Sequence, residues 1–126
     1  MLLREYLDHI LSIIKKYSIA NLILASDISN DFRTEKVGII RGRIDFINES
    51  TLYFTEYLDL RYGVEKLSYS FHYQNRDGNM IFRYDNARHK PELECRDHKH
   101  LSDGRTVPFH TPGFKHILDE ITEHPL

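Results

Sequence analysis

Leu3, Tyr6, Leu7, Ile10, Ile13, Ile14 and Tyr17 recur at spacings of three and four, which predicts an amphipathic helix over residues 2–17 with one broad apolar face. Arg4, Asp8, Ser12 and Lys15 mark its opposite face. From residue 21 the period changes to two. "NLILASDIS" reads as a first strand, with Ser29-Asn30-Asp31 as a turn or bulge. "KVGIIRGRIDFIN" is a longer second strand, in which Gly38, Ile40, Gly42, Ile44 and Phe46 share one face and Arg41, Arg43 and Asp45 the other. Asn48-Glu49-Ser50 turns the chain into "TLYFTEYLDLRYG", whose apolar face is Leu52, Phe54, Leu58 and Leu60 with Glu56 interrupting it.

The fourth strand, "KLSYSFHYQN", sets Leu67, Tyr69, Phe71 and Tyr73 against Ser68, Ser70, His72 and Gln74. Arg76-Asp77-Gly78-Asn79 is a hairpin signal, because glycine accepts the positive φ such turns demand. "MIFRYD" returns as a fifth strand. Strands joined by turns this short cannot be parallel, since a parallel pair needs a crossover of about a dozen residues or more. Residues 86–110 carry no period and contain Pro91 and Pro108, so they read as a long polar loop. Thr111 then caps a last helix with Pro112 in its first turn and Phe114, Ile117, Leu118 and Ile121 as its buried stripe. The expected fold is α+β: an antiparallel meander of about five strands, with the N-terminal and C-terminal helices packed on one face.

The 126 residues fit a single domain, and 40% hydrophobic with 29% charged residues is a globular balance. A net charge of -2 gives no global basic field, so any contact with nucleic acid has to come from a local patch. Cys95 is the sole cysteine, which excludes an intramolecular disulfide. The charged residues within the first helix exclude a signal-peptide core, and no apolar run reaches the ~18–20 residues of a membrane span. The expected location is the cytoplasm.

Candidate chemistry gathers near the fifth strand. A hairpin at Gly78 brings Arg83 and Asp85 towards His72 and Ser70, on the face that also bears Arg41, Arg43 and Asp45. A face of this kind is either a solvated side of a half-buried sheet or an active surface. Asp85-Asn86 also suits a structural task, ending the strand through side-chain-to-backbone bonds. His89, His98 and His100 follow in the loop. His98 and His100 on extended backbone point the same way and with a third histidine could bind zinc, but they lack the cysteines or the H-E-x-x-H context of a strong zinc motif. The other chemistry is acid–base: one imidazole takes a 2′-hydroxyl proton, a second protonates the leaving oxygen, and arginines hold the phosphate. Tyr69, Tyr73, Tyr84 and Phe82 could stack bases, although their alternation with Leu67 and Phe71 puts them in the core.

"EYLDLR", "YSFHYQNRDGNMIFRYDNARHKPEL" and "HKH" resemble the TumE family, small toxins of bacterial and archaeal toxin–antitoxin pairs. The resemblance spans residues 5–121 and is most specific from Tyr69 to His100, with Arg88-His89-Lys90 standing where Pro-His-His is more typical. It implies a toxin with a cognate antitoxin of small helix-turn-helix type as partner, and it is compatible with a homodimer. Joined to the residue inventory, it gives a metal-independent endoribonuclease acting on RNA and needing no cofactor. His72, Arg83, Asp85, His89 and His98 are then the catalytic candidates. Arg41, Arg43, Arg88, Lys90 and His100 are the substrate-binding candidates, and no residue is assigned to metal. A non-enzymatic protein-binding module and a zinc-dependent hydrolase using the histidine-rich loop are the alternatives.

Overall fold

The computed structural model describes residues 1–87 and 96–123. Helix α1 spans Leu3–Ile19, and strands β1 to β5 span Ile23–Phe32, Val37–Phe46, Thr51–Asp59, Glu65–Gln74 and Met80–Asp85. Two further strands follow, β6 at His98–Leu101 and β7 at Thr106–Pro108, before helix α2 at Phe114–Glu123. The sheet is an antiparallel meander with spatial order β1-β2-β3-β4-β5-β6-β7. The α+β class therefore holds, but the described residues form seven strands rather than about five. The part of the expected loop after residue 97 contains the two missing strands.

One face of the sheet carries Ile40, Ile44, Leu52, Phe54, Phe71, Tyr73, Phe82 and Tyr84, all buried. Both helices cover it, α1 through Leu3, Ile10, Ile13 and Ile14 and α2 through Phe114, Ile117, Leu118 and Ile121. Phe114 lies 5.1 Å from Phe54 between ring centroids, and the hydroxyl of Tyr17 donates to Asp119, joining the two helices. Tyr69, Tyr73, Phe82 and Tyr84 are thus core and unavailable for base stacking. Gly42 has to be glycine for packing reasons: a Cβ there would lie 2.3 Å from the Phe54 ring and 2.5 Å from Ile28. Gly78 turns the β4–β5 hairpin at φ 83°, where a side chain is strained.

Three local expectations are corrected. β1 runs unbroken through Ser29-Asn30-Asp31, because each of those residues pairs with β2. Leu67 does not join the apolar face: a bulge between Tyr57 and Leu58 pairs Leu58 with Lys66, turning Lys66 inward and leaving Leu67 37% exposed. Thr111 does not cap α2; its hydroxyl donates to Asp97 at 3.1 Å, and the helix begins three residues later.

The inward Lys66 answers the anomaly of Glu56. Glu56 is 0% exposed, with its carboxylate 3.0 Å from the Lys66 ammonium and accepting from the Tyr6 hydroxyl at 2.9 Å. Lys66 also donates to the Pro112 carbonyl at 2.8 Å. One buried ion pair thereby links α1, β3, β4 and the approach to α2. Burial, with the Glu56 charge and hydrogen bond, raises the Tyr6 phenol far above its usual range.

Candidate active site on the polar face of the sheet

Strand pairing sets the second face of the sheet in two rows. Arg43, Tyr53, His72, Arg83 and His100 lie opposite one another across β2 to β6, and Arg41, Thr55, Ser70, Asp85 and His98 form the next row. Residues directly opposite on neighbouring strands have Cβ atoms about 4.5–5.5 Å apart. His72 and Arg83 are such a pair. An open groove of about 570 Å³ runs over this face, bordered by Asp27, Arg41, Tyr53, Ser70, His72 and Arg83. A second hollow of about 390 Å³ continues from Ser70 and Arg83 towards Asp85 and Arg96.

The charge in the site is organised by Asp85, which is 4% exposed. Its Oδ2 accepts from Arg83 Nε at 2.9 Å and lies 3.3 Å from His100 Nε2, while its Oδ1 lies 3.7 Å from His98 Nδ1. Burial works to raise the Asp85 carboxyl, but the Arg83 hydrogen bond and the nearby His100 and Arg83 charges outweigh it and hold the group below its usual range. His100 Nδ1 meets the Thr106 hydroxyl at 3.2 Å, and its Nε2 faces the Asp85 carboxylate. His98 is 3% exposed beneath this face.

His72 differs from these two. It is half-buried, borders the groove, and titrates below its ordinary value, first because burial disfavours the charged ring and second because Arg83 repels it. Its imidazole is therefore held neutral near physiological pH, the form that accepts a proton.

The structure brings His72, Arg83, Asp85, His98 and His100 into one cluster over β4 to β6. Arg41 faces them across the groove, whereas Arg43 is tied to Asp45 at 3.1 Å and lies over the Tyr53 ring. Arg88, His89 and Lys90 lie outside the described residues, as does Cys95. Asn86 is structural: it accepts from the Tyr69 N–H at 3.0 Å and donates to the Leu67 carbonyl at 3.2 Å, bracing the bulge in β4. Among the described residues, no group of three His, Cys, Asp or Glu side chains is arranged to hold a metal ion.

Groove residues that the sequence reading passed over are Asp27, Ser29, Tyr53 and Thr55. The two on β3 carried a signal, because they alternate with Leu52 and Phe54 and so occupy the polar phase of that strand.

Fold and face together define a small α+β protein with a helix-covered aromatic core on one side of its sheet and an arginine–histidine–aspartate cluster on the other. Among known families, the model described as Toxin TumE matches residues 10–124. The chain belongs to the TumE toxin family, as the motifs from Tyr69 to His100 indicated. It is the toxin component of a toxin–antitoxin module, and that membership implies a cognate antitoxin as partner. Comparison with curated proteins and with solved structures finds no match. Among the described residues, no helix is long and apolar enough to cross a membrane.

Proposed function

We propose that the toxin is a metal-independent endoribonuclease and that the groove on the polar face is its active site. The observation that carries this reading is the cross-strand pair of His72 and Arg83 at the groove, with Arg83 anchored by a buried Asp85. Neutral His72 accepts the proton of an RNA 2′-hydroxyl. The 2′-oxygen then forms a bond to the adjacent phosphorus as the bond to the 5′-oxygen breaks, leaving a 2′,3′-cyclic phosphate. Water in the open groove protonates the departing 5′-oxygen. Arg83 and Arg41 hold the phosphate and offset the negative charge that builds on it. Asp85, with His98 and His100 against it, fixes the direction of the Arg83 guanidinium. His98 and His100 are positioning residues in this scheme rather than proton donors, because both rings are turned to the Asp85 carboxylate and His98 is buried.

The test compares RNA cleavage by wild type, His72→Ala and Arg83→Ala with excess chelator present, alongside growth on expression. Cleavage that survives chelation, yields cyclic phosphate ends and falls by ~10²-fold or more in both variants is expected. Both variants should relieve growth arrest while remaining folded, since these side chains lie outside the core. Growth arrest by a wild type that leaves RNA intact would replace this reading with that of a binding protein. Loss of wild-type cleavage on chelation would favour the zinc-dependent hydrolase.

A further inference from the structure

Tyr53 is out of place for a residue of a packed sheet. Its neighbours Leu52 and Phe54 are buried under the helices, yet Tyr53 is 39% exposed on the opposite, charged face. It stands in register between Arg43 on β2 and His72 on β4, and its ring borders the groove. The Arg43 guanidinium lies 5.5 Å from the ring centroid and is held there by Asp45. That contact limits the ring's motion and supports it with a cation on its π system.

We infer that Tyr53 is a stacking platform for an unpaired base of the RNA, which makes single-stranded RNA the substrate class of the groove. The inference rests on the ribonuclease reading and deepens it. Tyr53 and Arg83 lie on strands two apart, or about 9.5 Å across the sheet. This span suits a base on the ring and the phosphate of the same or next nucleotide at Arg83, whose guanidinium Asp85 holds in place. A base inside a duplex offers its face to its stacked neighbours and cannot reach the ring, whereas an unstacked base can. Stacking also tolerates any base, because every base has a π face. Cleavage is then directed by access to unpaired strand more than by sequence.

The test uses a short RNA whose 2′-hydroxyls are methylated, which blocks cleavage, and which carries one fluorescent purine. Its binding to wild type, Tyr53→Phe and Tyr53→Leu is measured by titration, with the matching duplex as a second ligand. Wild type should bind the single strand and quench the purine, and should bind the duplex at least ~10-fold more weakly. Tyr53→Phe should stay within about threefold of wild type, while Tyr53→Leu should lose ~10-fold or more in affinity together with the quenching. If Tyr53→Leu binds and quenches as wild type does while His72→Ala still abolishes cleavage, stacking is refuted and the ribonuclease reading stands. Binding and quenching by a wild type that never cleaves RNA would leave the platform and remove the nuclease. A wild type that binds no RNA overturns both.

Discussion

Replacing Lys66 by methionine tests how the core tolerates the deeply buried Glu56–Lys66 pair. Methionine keeps the length of the aliphatic stem and removes the ammonium from its place over the Tyr69 and Phe71 rings. Glu56, fully buried, is then left without its cation and keeps only the Tyr6 hydroxyl. Breaking a buried pair from one side costs about 3–5 kcal/mol. The Pro112 carbonyl also loses its donor, a further ~1 kcal/mol. Against a typical domain stability of about 5–15 kcal/mol this is a large fraction. For a chain of this size it corresponds to a fall in Tm of roughly 15–25 °C. The informative comparison is the double variant Glu56→Leu with Lys66→Met. Removing both charges spares the desolvation cost, which by itself is neutral or stabilising by about 1–4 kcal/mol. The Tyr6 hydroxyl gives back about 1–3 kcal/mol by losing its acceptor. With the ~1 kcal/mol for the Pro112 carbonyl counted again, the double variant should centre about 1 kcal/mol below wild type and be more stable than Lys66→Met. Urea unfolding followed by circular dichroism measures all four proteins, with equal m values as the check on comparability. Single costs that simply add in the double variant would refute the account of Glu56 and Lys66 as a mutually dependent pair.

Two further outcomes follow from the packing and the charges. Gly42→Ala should destabilise by about 1–3 kcal/mol in the same assay, because the added methyl meets the Phe54 ring and Ile28; an unchanged urea midpoint would refute that clash. Stability should fall on acidification in two windows. His72 titrates below its ordinary 6.5, so its contribution is present above that pH and is lost as pH falls towards its folded value, and His72→Gln should remove this slope. Asp85 likewise titrates below its ordinary 3.8, so its contribution is present above that pH and is lost as pH falls through the folded value. Asp85→Asn should flatten that limb, and urea midpoints across pH that are the same in wild type and variants would refute both assignments.

The meander, the hairpin at Gly78 and the two-faced character of β2 to β5 were legible because those strands alternate apolar and polar residues. That alternation also placed His72, Ser70 and Arg83 on the face away from α1, where the structure has them. Two misreadings share one physical cause: a lysine at an inward position. Lys66 takes the place the pattern gave to Leu67. Lys99 faces the core from β6, its ammonium 5.0 Å from the Tyr84 ring centroid and 2.9 Å from Glu120 of α2. In both cases the aliphatic stem does the apolar work while the charge finds a carboxylate, so the hydrophobic period vanishes although the strand is present. The roles of His98 and His100 were not legible for a related reason. Their burial and their approach to Asp85 depend on the pairing of β5 with β6, which an unrecognised strand could not supply.

Each strand of the sheet pairs only with its neighbours along the chain. From β1 to β5 each pair closes through a short turn, at little cost in loop entropy. Residues up to 101 suffice to complete the cluster around Asp85, and no strand waits for a distant partner. β7 and then α2 arrive afterwards, α2 sealing the aromatic side through Phe114 and through the bonds of Glu120 to Tyr84 and Lys99. The polar face is thus assembled in the order of the chain, and its Asp85 cluster needs nothing from the helix that closes the core.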